Sequence, residues 1–269
     1  MSTISPSKAT LRPAMPRFRW LRVVSALVIR EMATRFGRSS GGYIWAILEP
    51  LGGIALLSIA FSLALRKPPL GTSFMLFYAS GMVPYTFYNA MARGISQAVS
   101  SNKGLLSYPV VTTLDAVIAK FVLTFFTSLM TAVLLISGIV LVFNLQVVLD
   151  PAALITAFVL ASLIGLGVGS VNCVLFGLYP TWKNVWSVLT RPLFIFSGTL
   201  FLFEAVPPVF QSMLWWNPLT HVIALMRSGF YGSYDPLFIS YPYVIGFGLT
   251  LFVIGAYLLR RHARLLLDQ

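Results

Sequence analysis

The chain has 269 residues, of which 58% are hydrophobic and only 10% are charged, and its formal net charge is +12. This composition excludes a soluble globular domain and is typical of an integral membrane protein. One cysteine, Cys173, and two distant histidines, His221 and His262, exclude an intrachain disulfide and argue against a metal site.

The N-terminal region precedes the first long apolar run. Residues 1–16 contain Ser, Thr, Pro and Lys and predict a disordered cytoplasmic tail. Across residues 17–38, apolar side chains recur at helical spacing among arginines, which predicts an amphipathic helix at the membrane interface. Arg30 and Glu31 interrupt the early apolar run, so we do not interpret it as a signal peptide.

Six long apolar runs predict transmembrane helices in an all-α integral membrane fold with one membrane domain, residues 17–269. The runs cover residues 43–65, 72–92, 114–143, 152–179, 185–203 and 239–259. An even number of spans leaves both termini on one side of the membrane. Eight of the nineteen basic residues precede Tyr43 and three more follow the last run, which predicts that this side is cytoplasmic.

The basic residues next to these runs also indicate the chemistry of a partner. Lysine and arginine beside membrane spans attract anionic lipid headgroups. We therefore interpret the charge of +12 as a membrane signal, with anionic lipids and no nucleic acid as partners.

Residues 206–230, between the fifth and sixth runs, are apolar but are broken at Asn217 and Pro218. Each half is shorter than the roughly 20 residues that a helix needs to cross a bilayer. Backbone that enters a membrane without crossing it needs protein or a water-filled cavity around it. The segment therefore predicts a re-entrant helical hairpin beside a pathway for something polar.

Aromatic side chains recur on one face of the second predicted span. Tyrosine combines an apolar ring with a hydroxyl, which suits stacking on sugars, although an aromatic belt at the interface is the alternative. Glu49 lies inside the first span, where a carboxylate should face protein or water. Charged groups around the hairpin form either a solvated outer rim or part of an exit. The predicted substrate path comprises Glu49, Phe74, Tyr78, Tyr85, Tyr88, Trp215, Trp216, His221 and Arg227.

The fourth predicted span carries small side chains at every fourth position. They are Ala157, Ala161, Gly165, Gly169, Cys173 and Gly177. A stripe of this kind lets a second helix approach closely. We favour packing within the chain over a subunit interface.

Two kinds of motif are absent from the sequence. It contains no GxxxxGK[ST] phosphate loop, and it offers no paired carboxylates, nucleophile elbow or metal cluster. We therefore expect a transport subunit and not an enzyme. An ion-coupled secondary carrier is a remote alternative, and its relay would consist of Glu49, Asp115 and Lys120.

Short motifs in a fixed order complete the pattern. They are Thr34-Arg35-Phe36-Gly37-Arg38-Ser39, Trp45 with Leu48-Glu49-Pro50, Asn102-Lys103-Gly104-Leu105-Leu106, Asn217-Pro218-Leu219-Thr220-His221 and Arg227-Ser228-Gly229. With these motifs the chain resembles the membrane subunit of type-2 ABC exporters, and more closely the permeases that export capsular polysaccharide or O-antigen across the bacterial inner membrane. One departure is Ser40-Gly41-Gly42-Tyr43, where the family has a Leu-Gly pair.

The resemblance implies a homodimer that works with two copies of a separate ATPase. ATP and Mg²⁺ would bind to that ATPase, and this chain would hold no cofactor. It also implies a coupling helix that contacts the ATPase, with the candidate residues Ser100, Asn102, Lys103, Leu105 and Leu106. Capsular polysaccharide is the preferred substrate, and O-antigen, a drug or a lipid are the alternatives within the family.

Overall fold

The computed structural model describes residues 19–36, 41–106 and 111–268, and the predicted tail at residues 1–16 lies outside these ranges. The described residues form an all-helical fold, as the sequence predicts. The helices are α1 (Arg19–Phe36), α2 (Gly41–Ala64), α3 (Phe74–Ser96), α4 (Ala98–Ser101), α5 (Lys103–Leu106), α6 (Thr113–Val142), α7 (Pro151–Leu178), α8 (Trp182–Ile195), α9 (Pro208–Trp215), α10 (Pro218–Phe230), α11 (Tyr241–Arg261) and α12 (Ala263–Asp268).

Helices α3 and α7 form the centre of the fold. Helix α7 packs against α3 on one side and α11 on another, while α10 lies against both α7 and α3. Helix α6 packs on the outside of α3, and α1 packs on α6 through a small apolar cluster of Val24, Leu27 and Ala119. The opposite side of α1 exposes Ile29, which suits a helix at a membrane surface.

The stripe of small residues on α7 faces α3. A Cβ atom at Gly165 would lie 2.5 Å from the Cβ of Met91, and one at Gly169 would lie 2.7 Å from the Cβ of Ile95. Ala157, at the start of the stripe, is completely buried. The stripe therefore packs within the chain, as favoured from the sequence.

A second close approach joins α7 to α11. A Cβ atom at Gly167 would lie 2.5 Å from the carbonyl oxygen of Gly248, and one at Gly255 would lie 2.6 Å from the Cβ of Ser170. The spacing of the small residues on α7 predicted one close helix contact, and it did not indicate this second one. Both faces of α7 are in fact closely packed, which explains its central position.

Four helical segments among the described residues are long and apolar enough to cross a membrane. They are Ile47–Ala64, Thr113–Val142, Pro151–Leu178 and Tyr241–Arg261. Helix α3 has 23 residues and the necessary length, but its Tyr, Ser, Asn and Arg side chains make it more polar. The prediction of six spans therefore has four clear members, and membrane crossing by α3 and by the fifth run stays a prediction.

The predicted fifth span, residues 185–203, is wrong as a continuous helix. Helix α8 ends at Ile195 after 14 residues, which is about 21 Å and shorter than the ~30 Å hydrocarbon core. Pro192 lies in its last turn, and Gly198 adopts a φ of +78°, which ends the helical path. The chain continues through a turn at residues 196–202 and a short 3₁₀ turn at Phe203–Ala205.

The segment between the fifth and sixth runs consists of two helices, α9 and α10, separated at Trp216 and Asn217. Asn217 caps α10, because its side chain accepts a hydrogen bond from the backbone N–H of Leu219 at 3.1 Å. Pro218 occupies the first position of α10, where its missing N–H costs no helical hydrogen bond. The break therefore has a local cause in the sequence, and the re-entrant course of the two helices stays a prediction.

Candidate functional site

Two clefts of similar size lie on either side of the C-terminal half of α3. The first, here called the basic cleft, lies between α3, α4, α7 and α8 and has a volume of about 710 Å³. Its charged lining residues are Arg93, Lys103 and Lys183, and the described residues contribute no carboxylate to it. Trp186 supplies an aromatic surface, and amides and hydroxyls complete the lining. This combination suits a ligand with negative charge and many hydroxyls.

The basic cleft was not predicted, although its signal is present in the sequence. Asn89, Arg93 and Gln97 recur every fourth residue along α3, and all three line the cleft. Lys183 and Trp186 likewise lie on one face of α8, since residues three apart are neighbours on a helix surface. These polar stripes are short and were obscured by the apolar residues around them.

The second cleft, here called the mixed cleft, lies between α2, α3 and α6 and has a volume of about 670 Å³. Two carboxylates, Glu31 and Glu49, line it together with Arg93 and Lys120. Hydroxyl groups from α6, including that of Thr131, face the same space. Glu49 therefore lies beside a polar cleft, as a carboxylate within an apolar run requires.

Three tyrosines of the predicted path are packed inside the chain. Tyr78 is completely buried and contacts Phe61 with ring centroids 5.2 Å apart. Tyr88 is 2% exposed, and Tyr85 donates a hydrogen bond to the carbonyl oxygen of Thr190 at 3.0 Å. Phe74 is half-buried at the start of α3. In this chain these rings contact protein, so their contact with a sugar stays a prediction.

The structure brings together the aromatic residues around the α9–α10 break. Trp215 stacks on Tyr243 with centroids 5.1 Å apart and contacts Trp216 edge-on. His221 is completely buried, and its Nε2 lies 2.8 Å from the carbonyl oxygen of Trp215. Its Nδ1 accepts a hydrogen bond from the backbone N–H of Ser240 at 3.3 Å, which defines a neutral Nε2–H tautomer. His221 therefore joins α9, α10 and the start of α11.

Arg227 is buried in α10, with 2% of its surface exposed. Its guanidinium donates hydrogen bonds to the carbonyl oxygens of Phe201 at 2.8 Å and Thr199 at 2.9 Å. It also lies over the ring of Phe77, 4.4 Å from the centroid. Non-helical backbone at membrane depth needs such partners. The side chain thus stabilises the turn at residues 196–202.

The interpretation of a solvated outer rim applies to some of the charged groups around the break and not to others. His221 and Arg227 are buried, so the rim interpretation is wrong for them. Glu204 and Asp235 are exposed. Tyr234, in the loop after α10, donates to both carboxylate oxygens of Glu204 at 3.1 Å. Burial first, and the Glu204 carboxylate second, raise the pKa of Tyr234, which keeps it a neutral donor.

The predicted coupling segment around residues 100–106 is a pair of short helices, α4 and α5, where the resemblance implies one coupling helix. Ser100 is exposed, and Lys103 and Leu105 are half-buried. Asn102 and Leu106 are buried, with 4% and 6% of their surfaces exposed. Ser100 and Lys103 can therefore contact a partner protein, whereas Asn102 and Leu106 hold the segment against the chain.

The three residues of the proposed ion relay do not form one network in the structure. Asp115 accepts a hydrogen bond from the backbone N–H of Thr112 at 2.9 Å, within a capping box that begins α6. Lys120 forms an ion pair with Glu31 of α1. Among the described residues, no group of three or more His, Cys, Asp or Glu side chains could hold a metal ion.

Comparison with known proteins gives the family. Residues 22–231 match the ABC-2 type transporter family, which is more than half of the chain. The chain therefore belongs to the membrane subunits of ABC-2 type transporters. With four clear membrane-crossing segments, it is a multi-pass membrane protein and a transport subunit.

Several relatives extend over nearly the whole chain. The polysialic acid transport protein KpsM of Escherichia coli is 28% identical over 246 residues, which cover 91% of this chain and 95% of the relative. The capsule polysaccharide export inner-membrane protein CtrC of Neisseria meningitidis serogroup B is 26% identical over 237 residues, covering 87% and 88%. The capsule polysaccharide export inner-membrane protein BexB of Haemophilus influenzae is 24% identical over 245 residues, covering 90% and 92%.

Proposed function

We propose that this chain is the permease subunit of an ATP-driven exporter that moves capsular polysaccharide across the bacterial inner membrane. The observation that carries the proposal is the similarity to KpsM over 91% of the chain. CtrC and BexB, whose names refer to capsule polysaccharide export, support it over comparable lengths. No observation on this chain favours O-antigen, a drug or a lipid over a capsular glycan.

The working unit we propose is a homodimer of this chain with two copies of a separate ATPase, which binds ATP and Mg²⁺. Both termini lie in the cytoplasm in this arrangement, and only Arg66, Lys67 and Arg227 among the basic residues lie toward the outer side. The exposed Ser100 and the half-buried Lys103 would contact the ATPase. Anionic lipids would surround the basic N-terminal region.

The basic cleft offers a place for the glycan at the cytoplasmic side. Two of its cations, Arg93 and Lys183, and its polar lining are complementary to an anionic sugar chain, and Trp186 can stack on a sugar ring. The glycan would leave between α8 and the α9–α10 pair, beside the exposed Trp216. Five residues of the predicted path would contact the glycan only after α3 moves relative to the helices that it packs against. They are Glu49, Phe74, Tyr78, Tyr85 and Tyr88.

Reconstitution with its ATPase tests the proposal. The permease is co-purified with an ABC ATPase from the same organism and placed in lipid vesicles with a fluorescent capsular oligosaccharide outside. We expect ATP-dependent uptake by the complexes whose ATPase faces outward and none with a non-hydrolysable ATP analogue. An ATPase that binds the permease but moves only lipid or drug probes would refute the glycan assignment. Absence of any stable ATPase partner would refute the exporter itself.

Charge removal in the basic cleft gives a narrower prediction. Lys183→Gln should lower ATP-dependent export about three- to tenfold, because one charge-assisted contact to an anionic glycan is lost. Lys183 is exposed and lies on α8, outside the coupling segment, so ATPase binding should not change. Arg264→Gln, at an exposed cation on α12, is the matched control and should export normally. Equal export by both variants would contradict a glycan contact at Lys183.

A further inference from the structure

A polar junction connects three segments that are distant in sequence. Glu31 of α1 forms an ion pair with Lys120 of α6, and its other carboxylate oxygen accepts a hydrogen bond from the side-chain amide of Asn102 at 3.4 Å. Arg30 of α1 donates to the Asn102 side-chain oxygen at 3.3 Å. One carboxylate thus joins α1, the α4–α5 segment and α6.

The surroundings of this junction are mostly protected from solvent. Lys120 is 8% exposed and Asn102 is 4% exposed. The side chain of Asn102 also donates to the carbonyl oxygen of Ala98 at 3.0 Å, which fixes its amide relative to α4. Removing one member of a buried ion pair leaves an uncompensated charge, so such pairs specify one arrangement strongly.

We propose that Glu31 is a positioning residue that makes α1, the α4–α5 segment and the first turns of α6 move as one body during transport. This inference rests on the proposed function, because it assigns the contact through which the ATPase acts on the membrane helices. A push on the four-residue helices α4 and α5 reaches α6 through the Glu31 carboxylate. Val24, Leu27 and Ala119 hold the apolar side of the same contact.

The position of Glu31 explains why the motion would be transmitted through α1. Helices α4 and α5 are each one turn long, and α4 packs on α6 and buries Ala98 and Val99. Asn102 adds the polar link from this segment to α1, because it is bonded at the same time to α4 and to two residues of α1. An effector can act on a distant site only through an element that differs between two states. The junction makes α1 and the start of α6 part of that element.

A charge-swap series tests the inference in the complete permease–ATPase complex. Glu31→Lys and Lys120→Glu should each reduce glycan exported per ATP hydrolysed about tenfold, while ATP hydrolysis persists. The double variant, Glu31→Lys with Lys120→Glu, restores opposite charges between α1 and α6 but not the bond to Asn102, whose amide is fixed by Ala98 and Arg30. Its export per ATP should recover to within about threefold of wild type. Arg22→Glu, at an exposed position on α1, is the charge-reversal control and should leave the ratio unchanged.

Two outcomes would overturn the inference. The first is a wild-type export ratio in both single variants, and the second is an equal loss in the single and double variants when all of them assemble with the ATPase. If the charge reversals do not assemble, Glu31→Gln keeps the shape of the side chain and removes only the charge. An unchanged ratio in Glu31→Gln would then also overturn it.

A distance measurement separates failure of this inference from failure of the proposed function. Spin labels at the exposed Ser25 of α1 and Ser100 of α4 report the separation of the two helices in the full chain without any transport assay. We expect one narrow distance distribution in the wild-type chain and a broader one in Glu31→Gln. Identical distributions would overturn the junction as a lock, whereas absence of ATP-driven export in the wild-type complex would refute the proposed function alone.

Discussion

Replacing Arg227 with methionine should destabilise the protein strongly. The substitution removes the donors to the carbonyl oxygens of Thr199 and Phe201, which lie 2.9 and 2.8 Å from the guanidinium. Each buried carbonyl left without a donor costs about 1–3 kcal/mol, so the expected total is about 2–6 kcal/mol. The measurement is the thermal unfolding temperature of the purified protein, together with its level in the membrane.

An opposing effect reduces this loss without reversing it. A buried cation is itself costly, and an apolar residue of similar size removes that cost. The turn at residues 196–202 is not helical, however, so its carbonyl oxygens do not receive the N–H hydrogen bonds that a helix would provide. We therefore expect the orphaned carbonyls to dominate. An Arg227→Met protein as stable as wild type would show that the relief of charge burial dominates.

Two further variants separate charge from geometry. Arg227→Lys keeps the charge, but an ammonium cannot present the planar fork of donors that reaches two carbonyls at once. Its stability should lie between those of the wild-type and Arg227→Met proteins. Arg66→Met removes an exposed arginine between α2 and α3 and should leave the unfolding temperature unchanged. Equal effects at positions 66 and 227 would mean that net charge, and not the contact with the turn, determines stability.

The sequence predicted those features of the fold that depend on local patterns. The break between α9 and α10 follows from Asn217 and Pro218, because a capping residue followed by proline starts a new helix wherever it occurs. The close approach on α7 follows from small residues at every fourth position. Such patterns need no knowledge of neighbouring segments, so they can be recognised in one chain.

The features that the sequence did not predict depend on contacts between distant segments. Residues 185–203 are apolar enough to suggest one helix, and the turn that interrupts them is stabilised by Arg227, 26 positions from Phe201 and 28 from Thr199, which donates to both carbonyl oxygens. Lys120 lies close to Asp115 in the sequence, but its partner is Glu31, 89 positions away. The apolarity and spacing of residues along the chain do not reveal which distant residues contact each other.

The same limitation applies to the candidate site. The aromatic face of α3 was correctly placed on one helix, yet its tyrosines pack against α2 and α8, where Tyr78 contacts Phe61 and the Tyr85 hydroxyl finds the carbonyl oxygen of Thr190. The basic cleft arises where Arg93 of α3 meets Lys183 of α8. Neither residue is unusual alone, and only the fold brings their charges to one space.

Changing both Gly165 and Gly169 to alanine should destabilise the protein by up to about 4 kcal/mol, although alanine is the better helix former. Helix propensity favours alanine over glycine by about 1 kcal/mol per site. Each added methyl group, however, would lie 2.5 Å from the Cβ of Met91 or 2.7 Å from the Cβ of Ile95. These neighbouring atoms are attached directly to the backbone of α3 and cannot turn away. Overpacking of this kind costs about 1–3 kcal/mol per site, so steric overlap exceeds propensity.

Gly138→Ala is the matched control, because it tests propensity without overlap. Gly138 lies inside α6, and a Cβ atom there would meet no atom of the described residues within 4 Å. The control should therefore raise the unfolding temperature slightly, while Gly165→Ala and Gly169→Ala lower it. The same glycine-to-alanine change would then stabilise the protein on α6 and destabilise it on α7. If all three changes raised it, α3 would have to move away from α7 at little cost. The close packing of α3 on α7 would then be an adjustable contact, and the buried tyrosines of α3 could reach the glycan path easily.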